Sequence, residues 1–233
     1  LRTIILQLIY KNAYKIFVLS KYAVEEKYKI FGLKAFDLKG AITKKRIDNI
    51  INKTDIKKTG SSIELVTISR LDKNKRIEII IKAVNQLIKK GYKVNLKIGG
   101  KGPAENHLKN LVLELGLNEN ITFLGFVEEK DLDQIYRDMD IFTTIDWADY
   151  RITTYEVLSE NRRVIVSDDT DLDPQLLNSG YLFQSKPDFD CLAKTIEYAI
   201  NHKINWNKEK LSRYLEQFTW ERYFKQITFL MNT

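Results

Sequence analysis

At 233 residues, 44% of them hydrophobic, the chain is long enough to bury one sizeable core, and no apolar run reaches the roughly 18 residues needed to cross a bilayer. A single cysteine, Cys191, rules out an internal disulfide framework and points to a reducing, cytoplasmic setting, and two histidines without a Cys/His cluster give no reason to expect a metal. The net charge of +7 is concentrated upstream, where residues 1–60 hold 14 Lys and Arg against 5 Asp and Glu. Such a basic stretch suits peripheral contact with the inner face of a membrane or an acidic partner, or is simply a solvated lysine-rich face. No nucleic-acid motif interleaves it, so nucleic acid is not an expected partner. The chain opens on Leu1 rather than methionine and reads as a piece of a longer protein.

In chain order, residues 15–20 (KIFVLS) read as a strand, followed by a helix over 23–30 and a short extended piece near Phe36. Residues 44–62 are polar and lysine-rich and end in Thr-Gly-Ser-Ser, which suits a linker. From Ile63 onward strands and helices alternate with short connections. Strands are expected at 63–69, 94–98, 121–124, 141–144 and 164–167, with helices at 77–89, 104–115, 131–137 and from about 153. One helix is expected to close near 196–200 and another to run over 211–231, with Trp220 and Phe224 on one face. Repeated β-α units of this kind predict an α/β fold, a doubly wound, Rossmann-like parallel sheet.

Four constellations carry candidate chemistry. Arg70 and Lys75 follow the strand IELVTIS, and strand C-termini open into the ligand crevice of α/β sheets, so a fork and a mobile ammonium there can hold a diphosphate. The alternative is solvated surface charge or local ion pairing. The turn Gly99-Gly100-Lys101-Gly102-Pro103 lacks both the Walker and the dinucleotide spacing and reads better as a tight turn that admits backbone crowding. In DWADYRITTYEVLSE, residues 151–154 fall at a helix start, where free N–H groups favour an anion. Glu156 lies a turn further on and either accepts a ribose cis-diol or merely compensates the helix dipole. The pairs Asp131/Asp133, Asp138/Asp140, Asp171/Asp173 and Asp188/Asp190 read as helix caps rather than metal ligands.

The segments ISRLDKNKRIEIIIKAV, LKIGGKGP, ITFLGFVEEKDLDQIYRDMDIF, YEVLSENRRVIVSDD and FTWERYFKQI together resemble the C-terminal, nucleotide-sugar-binding half of GT-B glycosyltransferases of family 4. The pattern there runs G-R-L-x-x-x-K-G, G-x-G-P, F-L-G-x-V, E-G-F-G-x-x-x-x-E-A and a late F-S/T-W. The resemblance implies that residues 1–43 are the tail of an acceptor-binding domain that lies mostly outside this chain. Residues 63–218 would be the donor-binding domain, and 219–233 a helix crossing back to the first domain.

The same resemblance gives Arg70 and Lys75 the role of clamping the donor diphosphate and stabilising it as it leaves. Ser69 stands beside them as a further donor-binding residue. Glu156 would hold the ribose, Thr153 and Thr154 would meet the diphosphate, and Gly125 and Phe126 would lie against the base. It further implies transfer of a hexosyl unit from a nucleoside diphosphate sugar to a saccharide or lipid-linked acceptor, without a metal and with retention. Three departures stand out. Ser69 and Arg76 replace the glycines flanking the basic pair, and Asp149 and Arg151 replace those of the E-G-F-G loop. Ala148 stands where the first glutamate would contact the donor sugar, and Asp146 and Asp149 flank it as candidate substitutes. The loss of that glutamate raises the alternative of a catalytically impaired relative that binds a nucleotide sugar or a partner.

Overall fold

The computed structural model describes residues 9, 11–18, 35–40, 42–53, 62–146, 151–170, 172 and 174–232. The expected helix over 23–30 lies outside them. Two short strands, β1 (Ile16–Val18) and β2 (Ala35–Asp37), pair in parallel and form a sheet of their own. The larger sheet contains β3 (Ile63–Ile68), β4 (Val94–Gly99), β5 (Ile121–Gly125), β6 (Ile141–Thr144), β7 (Arg163–Ser167) and β8 (Leu182–Ser185). All its strands are parallel, in the order β5-β4-β3-β6-β7-β8.

The helices are α1 (Lys44–Asp48), α2 (Ile77–Lys89), α3 (Glu105–Glu114), α4 (Glu129–Arg137), α5 (Ile152–Ser159), α6 (Pro174–Leu177), α7 (Phe189–Asn201), α8 (Lys208–Leu215) and α9 (Trp220–Asn232). Because side chains alternate across a strand, each central strand feeds two cores. Leu65, Ile141 and Ile165 face a layer closed by α2, α3 and α7, where Ile80, Leu87, Leu108 and Leu192 are buried. Their neighbours Val66, Phe142, Val164 and Val166 face the opposite layer, closed by α5 and α8 with Tyr155, Leu158, Leu211 and Leu215. The doubly wound sheet expected from the strand-helix alternation is therefore present. Its order adds a point of reversal between β3 and β6, from which the chain winds outward in both directions.

Two elements differ from expectation. Residues 44–53, expected to be part of a polar linker, pack on the second core: Ile47 of α1 and Ile50 of a 3-10 turn at Ile50–Asn52 are buried in it, together with Ile42 just upstream. The three isoleucines are dispersed among polar residues: Lys44 and Lys45 stay exposed while the apolar face docks, and Lys53 turns inward to Glu160. Residues 54–61 lie outside the described set. The single helix expected over 211–231 is two. Thr219 adopts an extended backbone (φ −76°, ψ 152°), ends a 3-10 turn at Glu216–Phe218 and bridges to Ile42. The Ile42 carbonyl accepts a further hydrogen bond from the Trp220 N–H at 3.2 Å, so the start of α9 is tied to Ile42. Among the described residues no helix is long and apolar enough to cross a membrane.

Candidate functional site

The carboxyl ends of β3 and β6, on either side of the reversal, bring the basic residues together. After β3 the backbone runs on beside the turn that follows β4: the Ser69 N–H donates to the Gly99 carbonyl at 3.1 Å, and that of Leu71 to Lys101 at 3.0 Å. A Cβ on Gly100, whose φ is +120°, would fall 1.8 Å from the Ser69 carbonyl oxygen. The glycine turn is thus the tight turn that allows this close pairing, and its effect is to hold Ser69 and Arg70 at the carboxyl end of the central strands. Arg70 leaves the surface there with its side chain 73% exposed and its Nε 3.0 Å from the Asp72 carboxylate.

Lys75 ends a short 3-10 turn and points across the reversal, with Nζ 2.7 Å from Asp146 Oδ2. Arg76 follows in the left-handed region (φ 52°, ψ 30°). That backbone explains why a glycine suits this place. Here an arginine takes it, and its Nη1 donates to the Ile145 carbonyl and to Asp169, both at 3.0 Å.

Asp146, just beyond β6, is the centre of the cluster. Its side chain is 4% exposed; Oδ2 accepts from Lys75, while Oδ1 accepts from the Thr144 hydroxyl at 2.7 Å and pairs with the Arg151 guanidinium. Burial alone would raise this carboxyl, but the hydrogen bonds from Arg151, Lys75 and Thr144 outweigh it and hold it below the ordinary value. A carboxylate so engaged is a fastener for two cations rather than a free acceptor for sugar hydroxyls. Ala148 and Asp149 lie outside the described residues.

Arg151 is the residue before α5 and its side chain gives no helix cap. Thr154 is buried with its N–H bonded to the Arg151 carbonyl at 3.2 Å, so of the two threonines Thr153, only half-buried, is the more accessible from the helix start. Glu156 sits on the side of α5 towards α4 and α1. Burial pushes its carboxyl up, Arg46 pulls it down, and Asp133 and Glu129 push it up again. The charges that act on it are therefore different from those around Lys75.

Gly125 closes β5 with φ +67°, its carbonyl accepting from Gly100 N–H at 2.6 Å, and Phe126 beside it is 72% exposed. Of the paired aspartates one caps a helix, Asp133 instead pairs with Arg46, and Asp171 and Asp173 lie outside the described residues. Asp188 caps α7 through the N–H groups of Asp190 and Cys191, and Asp140 accepts from the Glu64 N–H at 2.9 Å. Sequence reasoning passed over Arg46, and it noted Arg151 only as a glycine replacement at a helix start. The signal for Arg151 was present, since it replaces a loop glycine, but its partner was visible only in three dimensions.

An open, doubly wound parallel sheet with cations at its strand-order reversal belongs to the α/β class whose ligand crevice lies at that reversal. The family model for glycosyl transferases group 1 matches residues 47–218, and the chain belongs to that family. Among curated relatives, alpha-monoglucosyldiacylglycerol synthase of Streptococcus pneumoniae is 25% identical over 166 residues, 70% of this chain and 37% of that protein. The sucrose-phosphate synthase of Thermosynechococcus elongatus has the same fold, with a TM-score of 0.78 at 18% identity over 99% of this chain and 61% of that one. The Anabaena protein HepE, solved in complex with UDP and glucose, superposes with a TM-score of 0.75 at 16% identity, covering 99% of this chain and 66% of that one. The architecture is that of GT-B glycosyltransferases. The chain spans between 21% and 40% of the length of the curated relatives it matches.

Proposed function

We propose that this chain is the donor-binding part of a glycosyltransferase that moves a hexosyl unit from a nucleoside diphosphate sugar to a saccharide or lipid-linked acceptor. The observation that carries the reading is the convergence of Lys75, Arg151 and Asp146 at the reversal of strand order, with Arg70 close by in sequence on the end of β3. Cations fixed in a partly buried crevice stabilise the charge that develops on a departing diphosphate, which is commonly the largest catalytic contribution in such transfers. In this reading Arg70 and Lys75 hold the diphosphate, Thr153 and Thr154 form the helix start that faces it, and Glu156 takes the ribose. Gly125 and Phe126 flank the base, and Ser69 sets the direction of Arg70. By family resemblance the reaction is retaining and needs no metal. The basic stretch at residues 1–60 is the candidate contact with an anionic inner membrane surface of the cytoplasm. Transfer needs an acceptor domain across the cleft, so the 233-residue chain alone should bind donor without transferring sugar.

A second reading, an impaired relative that grips the nucleotide but does not handle the sugar, draws support from Asp146. Its engagement by Lys75, Arg151 and Thr144 leaves it poorly placed to replace the glutamate missing at Ala148. A thermal-shift panel of UDP, GDP, ADP and their sugars tests both. At least one nucleoside diphosphate should raise the melting temperature, and a panel without any shift would overturn the donor reading. A sugar nucleotide bound at least tenfold better than its bare diphosphate would remove the second.

A further inference from the structure

The cations at this crevice differ in how their charge is balanced. Arg70 has Asp72 at 3.0 Å and Arg76 has Asp169 at 3.0 Å, one carboxylate each. Lys75 and Arg151 share one: among the described residues Asp146 is the carboxylate that pairs with either. Asp146 is already satisfied without the arginine, since Lys75 bonds one oxygen and the Thr144 hydroxyl the other. Arg151 therefore adds a positive charge beyond what neutralises the carboxylate, and it does so with its side chain only 14% exposed. Excess charge in a site this dry is costly unless an anion offsets it.

The guanidinium also has a donor to spare. Its Nε is buried and meets no acceptor among the described residues, whereas Nη2 is engaged by Asp146. A buried donor without an acceptor is destabilising, so such a donor implies an acceptor that arrives from outside. The geometry suits one kind of anion. Lys75 and Arg151 approach different oxygens of a single carboxylate, and the oxygens of a phosphate group offer a similar spacing.

We propose that Arg151 is a phosphate-binding residue of this site: its guanidinium, steadied beside Lys75 by the Asp146 carboxylate, binds the donor diphosphate at the place where a loop glycine would offer only its backbone. The inference rests on the donor reading given above, and it makes Asp146 the positioning residue of a two-cation fork. The surplus positive charge belongs to the ligand, and Asp146 prevents the two cations from repelling each other apart before it binds.

The test is calorimetry on the purified protein with inorganic diphosphate and with whichever of UDP, GDP and ADP raises the wild-type melting temperature most. The variants are Arg151→Ala, Arg151→Gln and, as a reference, Arg70→Ala. Both Arg151 variants should lose at least tenfold in affinity for the nucleoside diphosphate, about 1.4 kcal/mol, and a similar factor for inorganic diphosphate. The loss should shrink as salt is raised, because it is a loss of charge. Arg151→Gln keeps a buried hydrogen-bonding group and guards against a simple folding failure. If it melts as the wild type does and binds as tightly, while Arg70→Ala is weakened, the role of Arg151 is overturned and the donor reading stands. If the wild-type protein binds none of the probes, both fall together.

Discussion

Two buried carboxylates, Asp146 and Glu160, lie at opposite ends of the same stretch of chain, one before α5 and one after it. Each is held by more than one cation. Glu160 is completely buried, with Lys53 Nζ at 2.6 Å and 2.7 Å from its two oxygens and Arg46 and Arg137 at 3.6 Å and 3.8 Å. Asp146 is nearly as buried and holds Lys75 and Arg151. By charge chemistry alone they are alike. They differ in place: Glu160 faces the segment of residues 42–53 that packs on the second core, whereas Asp146 lies at the carboxyl end of β6, where the sheet reverses its order. The first cluster ties an upstream segment to the domain. The second faces the crevice where α/β sheets bind ligands. Topology, more than charge, separates a structural ion cluster from a binding one.

The largest effect expected from breaking this comparison is on the structural side. Glu160→Gln removes the charge that offsets Lys53 and Arg46 in a dry setting, and should cost about 3–5 kcal/mol of stability. Chemical denaturation would measure it. At temperatures where the variant is folded, its affinity for a nucleoside diphosphate should match that of the wild type. A variant that unfolds normally but binds poorly would mean that the Glu160 cluster belongs to the site.

Next in size are losses in the binding cluster. Arg70→Ala and Lys75→Ala each remove a charge-assisted contact, worth about 1.5–3 kcal/mol, so affinity for the diphosphate should fall roughly tenfold or more. The two should differ in stability. Lys75→Ala leaves Asp146 with less compensation and should lower the melting temperature, whereas Arg70, largely in solvent, should not. Equal melting temperatures would show that Asp146 does not depend on Lys75.

The smallest effect concerns Glu156, and it has opposite signs for binding and stability. Its carboxyl is raised above the ordinary 4.5, chiefly by burial, so the folded state holds that proton more tightly than the unfolded one. The sign follows: the contribution is full below about pH 4.5 and is lost as pH rises through the folded value. Glu156→Gln should thus gain in melting temperature at pH 7.5, with no gain at pH 4. It should also weaken ribonucleotides while leaving inorganic diphosphate binding unchanged. Equal wild-type affinity for a nucleotide and its 2′-deoxy form would remove the ribose role.

The sequence by itself determined the fold class, because strand-helix alternation is a local pattern. IELVTI declares its state from its β-branched residues, and VNLKIG and IEIIIKAVNQLIK from periodicity and the glycines that close them. It also singled out Arg70, Lys75 and Glu156, whose spacing within continuous motifs needs no distant partner. β8 escaped because LFQS has only two apolar residues before Gln184 and Ser185 and lacks the β-branched residues of IFTT in β6. The docking of residues 42–53 escaped as well, because Ile42, Ile47 and Ile50 look like isolated apolar residues until a core receives them. Only the tertiary structure decided which carboxylate each cation meets. Lys75 and Asp146 are 71 residues apart, and Lys53 and Glu160 are 107 apart. Such pairs form when the sheet order brings strand ends together, and strand order depends on how the hydrophobic layers close over both faces at once.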